Sequence, residues 1–197
     1  MDNVLPDVLA PDISVLFCGN AAGTVSARVG APYAGPGNLF WRTLHEVGLT
    51  PERLAPSEFR RMPEFGLGLT DACKVRFGSD VEVGTADHDA SRLVNTVRRV
   101  EPIHLAFVGK RAAETVTGRR VAYGPQAEHL GGAHTWVLPS TSGRARRFWA
   151  IEPWHELAQA CNTLPDGAGR VSLDGGAEIR TRIRGRGARV STGLAGA

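Results

Sequence analysis

Several short stretches carry side chains able to do chemistry. The loop Gly19-Asn20-Ala21-Ala22-Gly23-Thr24-Val25-Ser26 has the glycine and polar content of a phosphate cradle. It lacks both the Gly-Lys-Ser/Thr ending of a P-loop and the Gly-x-Gly-x-x-Gly spacing of a dinucleotide fold, so a nucleotide-binding enzyme ranks low. Asp87-His88-Asp89 offers ligand-type side chains without a partner at metal spacing, and an exposed helix start accounts for it better. Arg144, Arg146 and Arg147 gather positive charge in a turn ahead of a helical stretch. His129 and His134 precede a strand and read as structural or solvated. Cys18, Cys73 and Cys161 are widely spaced with no Cys-x-x-Cys pair, which argues against a zinc site or a disulfide scaffold and fits a reduced, intracellular compartment.

The elements that must position these groups follow from apolar patterning. Ile13 to Gly19, His104 to Gly109 and Thr135 to Pro139 are short, nearly continuous apolar runs ending at Gly or Pro, the pattern of strands buried on both faces. Helical spacing recurs over Asn38 to Val47, Ser91 to Val100, Lys110 to Val116 and Arg147 to Cys161. Val121 to Gly132 reads as a hairpin or loop. Strands alternating with helices predict an α/β fold, a three-layer α/β/α sandwich around a mainly parallel sheet of about four to five strands. In such a sheet ligands bind beyond the carboxyl ends of the strands, which directs attention to the loops after Gly19, Gly109 and Leu138.

The chain has 197 residues, 42% of them hydrophobic, enough for one sizeable core. Beyond Pro165 the composition turns to Gly, Arg, Ser and Ala, so residues 1–164 are expected to form the domain and residues 165–197 a disordered tail. Arg180, Arg182, Arg184 and Arg186 in that tail either add nonspecific phosphate attraction or are simply solvated. A net charge of +3 permits a nucleic-acid partner without requiring one. No apolar run approaches the roughly 20 residues that span a bilayer, and no signal-like start is present. A cytoplasmic protein is expected, nucleoid-associated if bacterial, neither secreted nor membrane-bound, and monomeric.

Read together, four segments resemble a known family in its own order. Phe17-Cys18-Gly19-Asn20-Ala21-Ala22-Gly23 is similar to a Phe-Cys-Gly-Ile-Asn-Pro-Gly strand and loop. Ala31-Pro32-Tyr33-Ala34 and Gly37-Asn38-Leu39-Phe40-Trp41-Arg42 are similar to its Pro-Phe-Ala and Asn-x-Phe-Trp-Lys stretch. Gly68-Leu69-Thr70-Asp71 resembles its Gly-x-Thr element, and Val137 to Arg144 its late Leu-Pro-Asn-Pro-Ser-Gly or Pro-Ser-Ser-Ser-Ala-Arg loop. The family is that of the mismatch-specific uracil and thymine DNA glycosylases, within the uracil-DNA glycosylase superfamily, and the resemblance spans about Ile13 to Cys161.

The resemblance implies an enzyme that extrudes uracil, or another deaminated or mismatched base, from double-stranded DNA and hydrolyses its N-glycosidic bond. It implies that Tyr33 stacks on the flipped base, with a tyrosine packed on the sheet edge as the alternative, and that Asn20, Ala21 and Asn38 line the base site. Asn38 is equally a helix cap. Ser140, Thr141, Ser142, Gly143, Arg144 and Arg146 would form the loop that enters the duplex, with Arg144 as wedge and Arg146 and Arg147 on phosphates. The departure is at the catalytic position, because the family's water-orienting Asn aligns with Ala21. Asn20, one residue away, is one substitute; Asp71 is the preferred one, since a carboxylate can polarise water and stabilise positive charge on the sugar. Alternatively Asp71 caps a helix starting at Ala72. No metal or other cofactor is implied, and three cysteines fall short of the four ligands of the superfamily's iron-sulfur branch. A protein that binds lesions or abasic sites without cleaving them is the competing reading.

Overall fold

The computed structural model describes residues 3–79 and 82–162, together with the backbone of 170–173 and 177–180. Strands β1 (Val15–Gly19), β2 (Leu67–Asp71), β3 (His104–Val108), β4 (Gly124–Leu130) and β5 (Ala133–Leu138) form one sheet in the order β2-β1-β3-β5-β4. All pairings are parallel except β4 with β5. Helices α1 (Thr24–Val29), α2 (Phe40–Glu46), α3 (Ala90–Val100), α4 (Lys110–Thr117) and α5 (Glu152–Asn162) complete the domain. This is the α/β/α sandwich expected from the apolar runs.

The runs are continuous because each strand feeds two cores. Val15 and Phe17 of β1 join Ala106, Val108 and Leu138 in packing against Phe40 and Leu44 of α2, Met62, and Trp154 and Leu157 of α5. Leu16 and Cys18, one residue out of phase, join Leu105, Phe107 and Val137 against Leu93 and Val97 of α3 and Ala112 and Ala113 of α4. Side chains alternate across a strand, so a strand covered on both sides must be apolar at every position. Three of the four expected helices, α2, α3 and α4, lie where the spacing put them, with α3 starting at Ala90 and capped by Asp89, whose carboxylate accepts from the Arg92 N–H at 2.8 Å.

Of the two alternatives for Val121 to Gly132, the hairpin forms: β4 is the antiparallel edge strand and turns at Gly131 and Gly132 into β5, with Pro125 tolerated there beside a register shift. Other features depart from the sequence reading. Gly68 to Asp71 is a strand, β2, so Asp71 ends a strand and no helix begins at Ala72; the helix-cap alternative is overturned. The helix expected over Arg147 to Cys161 is two elements, a 3-10 turn over Gly143–Phe148 and α5, separated where Trp149 turns extended at ψ 130°. A second 3-10 segment, Pro56–Phe65, and the short α1 went unread.

The outer edge of β2 is covered by the amino-terminal strap. Val8 pairs antiparallel with Leu69 through backbone hydrogen bonds of 2.8 and 2.9 Å, and the Val4 N–H donates to the Lys74 carbonyl at 2.8 Å. That satisfies backbone groups an open edge would leave unpaired. Among the described residues no helix is long and apolar enough to cross a membrane. The chain divides at residue 165; of the part beyond, expected to be a disordered tail, only β6 (Arg170–Leu173) and β7 (Ala177–Arg180) are described, and they pair antiparallel, the rest lying outside the described residues. Arg182, Arg184 and Arg186 lie outside the described residues.

Candidate active site

The parallel strands end together, and their loops enclose a cleft of about 650 Å³. β1 delivers Gly19 and Asn20, β2 delivers Asp71, β3 leads into Gly109, Lys110 and Arg111, and β5 leads into Ser140 to Ala145. Tyr33 and Asn38 close it from the α1–α2 connection. Of the residues to which the resemblance gives a role, all but Arg146 and Arg147 thus line this one cleft. Gly109, at φ 119°, takes the turn into α4 with a backbone that side-chain-bearing residues rarely adopt.

Asp71 stands at the bottom of the site, in register with Gly19. Gly19 is a glycine for a reason of space: a Cβ there would overlap the Asp71 carboxylate oxygen and lie 3.1 Å from the Tyr33 hydroxyl. Burial raises the Asp71 carboxyl from the usual 3.8 to about 6, opposed by the nearby Lys74 and Arg92 and reinforced by Asp7. Lys74, itself buried, lies 3.9 Å from the Asp71 carboxylate and 2.8 Å from Asp7. Arg92 makes a short hydrogen bond to the Asp71 carbonyl and sits 3.5 Å from Asp7, and the Thr70 hydroxyl donates to Asp7 at 2.8 Å. Two cations and two carboxylates therefore offset one another around a strand end, the arrangement that lets charges persist away from water.

Asp7, Lys74 and Arg92 were not foreseen. Lys74 could have been found from its place three residues after Asp71. Asp7 and Arg92 come from the strap and from α3, and nothing in the sequence links them to β2.

Tyr33 stacks on Phe40 at 3.8 Å between ring centroids with an 11° tilt. Its backbone is left-handed at φ 54°, held there by the stack and by the Trp41 indole N–H donating to the Pro32 carbonyl at 3.2 Å. Its buried hydroxyl has no hydrogen-bond partner among the described residues, and burial together with the Asp71 carboxylate pushes its ionisation well above the normal range. Asn38 accepts from the Phe40 N–H at 3.0 Å, so it caps the entrance to α2 while lining the cleft.

Asn20 holds the Cys73 N–H with its carbonyl at 2.9 Å, and its side-chain Oδ1 lies 2.6 Å from His88 Nε2. His88, read from sequence only as part of a helix start, is thereby joined to the cleft wall. Ala21 brings a methyl to the same loop.

The loop after β5 separates buried from exposed residues. Thr141 is buried, and its carbonyl accepts from the Leu39 N–H at 2.9 Å. Gly143, Arg144, Arg146, Arg147 and Phe148 are exposed. Ser142 caps the turn by accepting from the Arg144 N–H at 3.4 Å, and Arg146 donates to the Gly37 carbonyl at 3.4 Å. Phe148, also unforeseen, adds an exposed ring beneath the Arg147 guanidinium at 4.5 Å. Among the described residues no group of three or more His, Cys, Asp or Glu is placed to hold a metal ion.

Comparison with known proteins bears on the fold and the family. The solution NMR structure of a candidate uracil DNA glycosylase from Methanosarcina acetivorans superposes with a TM-score of 0.58 at 24% identity, covering 79% of this chain and 95% of that one, a likeness of fold. The family model for the uracil DNA glycosylase superfamily matches residues 6–159, from the strap through α5, and on that match the chain belongs to the uracil DNA glycosylase superfamily.

Proposed function

We propose that this protein is a DNA glycosylase of the mismatch-specific uracil type, with residues 1–164 as its catalytic domain, which flips uracil from double-stranded DNA and leaves an abasic site. The observation that carries this reading is Asp71: a carboxylate held above its usual range at the bottom of a cleft built from strand ends. In its ionised form it polarises a water molecule as general base and offsets the positive charge that develops on the sugar as the base departs. Tyr33, backed by Phe40, presents an aromatic surface to the extruded base. Arg144 on its exposed turn fills the vacated stack, while Arg146 and Arg147 meet phosphates.

Loss of the amide at Ala21 favours a second reading, a lesion-binding protein without chemistry. Alkaline cleavage of labelled duplexes carrying uracil opposite guanine or adenine, thymine opposite guanine, or hypoxanthine separates the two. Turnover of uracil that disappears in Asp71→Asn supports the glycosylase. Tight lesion binding with no cleavage of any duplex supports the binding protein.

A further inference from the structure

Resting on that function, we infer that His88 is a positioning residue: it sets the Asn20 side chain in the cleft wall and thereby governs which base edge is accepted. His88 comes from the loop before α3 and is itself fixed. Its Nδ1 lies 2.9 Å from the Gly84 carbonyl, the Asp87 carboxylate accepts from the Gly84 N–H at 2.9 Å, and Asp89 caps α3 on its other side. A carbonyl can only accept, so Gly84 requires a proton on Nδ1. The second ring nitrogen then meets the Asn20 amide at 2.6 Å. A doubly protonated ring donates to Oδ1; a neutral one accepts from the amide NH₂. In either state the ring dictates which way the amide is turned.

An amide offers a donor at one end and an acceptor at the other, and an imide edge such as uracil's alternates acceptor, N–H and acceptor. A fixed amide complements one such pattern and leaves a mismatched one unpaired, whereas a freely turning amide adapts to several. His88 therefore acts on recognition of the base and leaves bond cleavage to Asp71.

The test is a double-mutant cycle on binding. Wild type, His88→Ala, Asn20→Ala, the double variant and His88→Gln are titrated against a duplex carrying 2′-fluorodeoxyuridine opposite guanine and against its undamaged counterpart. The fluorine resists hydrolysis by destabilising the sugar cation, so affinity is read without turnover. Single-turnover rates on uracil and hypoxanthine duplexes are measured alongside.

Expected is a loss of lesion affinity of about tenfold in His88→Ala with undamaged DNA unaffected, a double variant no weaker than Asn20→Ala, and substantial recovery in His88→Gln, whose amide can still reach Asn20. The saturating rate on uracil changes less than about threefold, and the preference for uracil over hypoxanthine narrows. Equal loss on both duplexes, or additive single variants, overturns the inference in favour of a merely structural histidine. Unchanged affinity in His88→Ala, with wild type still preferring the lesion, overturns this inference alone. A wild type indifferent to the lesion overturns it together with the proposed function. Should His88→Ala fail to fold, His88→Leu, which fills the space but cannot hydrogen-bond Asn20, takes its place in the cycle and decides by the same criteria.

Discussion

Gly19 and Asp71 face each other across β1 and β2, and the carboxylate occupies the space where any larger residue at position 19 would place its first carbon. Gly19→Ala must therefore move Asp71 or Tyr33 while leaving both strands intact. We expect the single-turnover rate on a uracil duplex to fall about 100-fold, because misplacing a catalytic group by an ångström has effects of that order. Circular dichroism should stay native. A rate within threefold of wild type would show that the carboxylate has room to spare.

Asp71 should cost stability at the pH where it works. Its folded value, about 6, lies above the usual 3.8, so its own contribution to stability is fully present below 3.8 and is lost as pH rises through 6. Asp71→Asn should therefore raise the melting temperature at pH 8, by up to about 3 kcal/mol of stability, and by distinctly less at pH 4.5. Wild-type cleavage should rise with pH through about 6 as the carboxylate ionises. A variant melting lower than wild type at pH 8 would mean that Lys74 and Arg92 depend on that charge more than burial opposes it.

Tyr33→Phe removes a buried hydroxyl that has no partner among the described residues and leaves the stack on Phe40 unchanged. The free protein should become more stable by about 1 kcal/mol, the usual cost of an unsatisfied buried polar group. Lesion binding by the ring should persist, measured on the fluorinated duplex. A clear drop in melting temperature would indicate that the hydroxyl is satisfied in solution.

At the opposite end of the sheet, burial pushes His104 down from 6.5 to about 4, and its Nδ1 accepts from the Trp136 indole N–H at 3.2 Å. The neutral ring is the one that fits. Its contribution is complete above pH 6.5 and is lost as pH falls toward 4, at most about 3 kcal/mol. His104→Gln should melt below wild type at pH 7.5, with the gap closing by pH 4.5 in thermal scans. A gap of constant size would assign the loss to packing alone.

The sequence disclosed the sheet wherever strands were buried on both faces, as at Leu16 and Phe17, because unbroken apolar runs have few other uses. β2 escaped notice because Gly68 and Thr70 interrupt its apolar character; Thr70 instead uses its hydroxyl on Asp7. The break between the 3-10 turn and α5 was hidden since Arg147 to Ile151 keeps residues acceptable to a helix. At the site, Asp71, Tyr33 and Asn20 could be singled out because they stand beside recognisable motifs. Lys74, three residues after Asp71, was within reach of the same reading, but Asp7, Arg92 and His88 influence those residues from separate segments, and such long-range pairings leave no local spacing to read.

The hydrogen bonds from Leu39 to the Thr141 carbonyl and from Arg146 to the Gly37 carbonyl stitch the stretch bearing Tyr33 and Asn38 to the stretch bearing Arg144. The two stretches are thereby tied into one unit. Under the proposed function, a displacement that drove the arginine into a duplex would carry the aromatic wall along with it, and prying a helix open and gripping what falls out would be a single mechanical stroke. An enzyme built this way would let go of DNA only by reversing both at once.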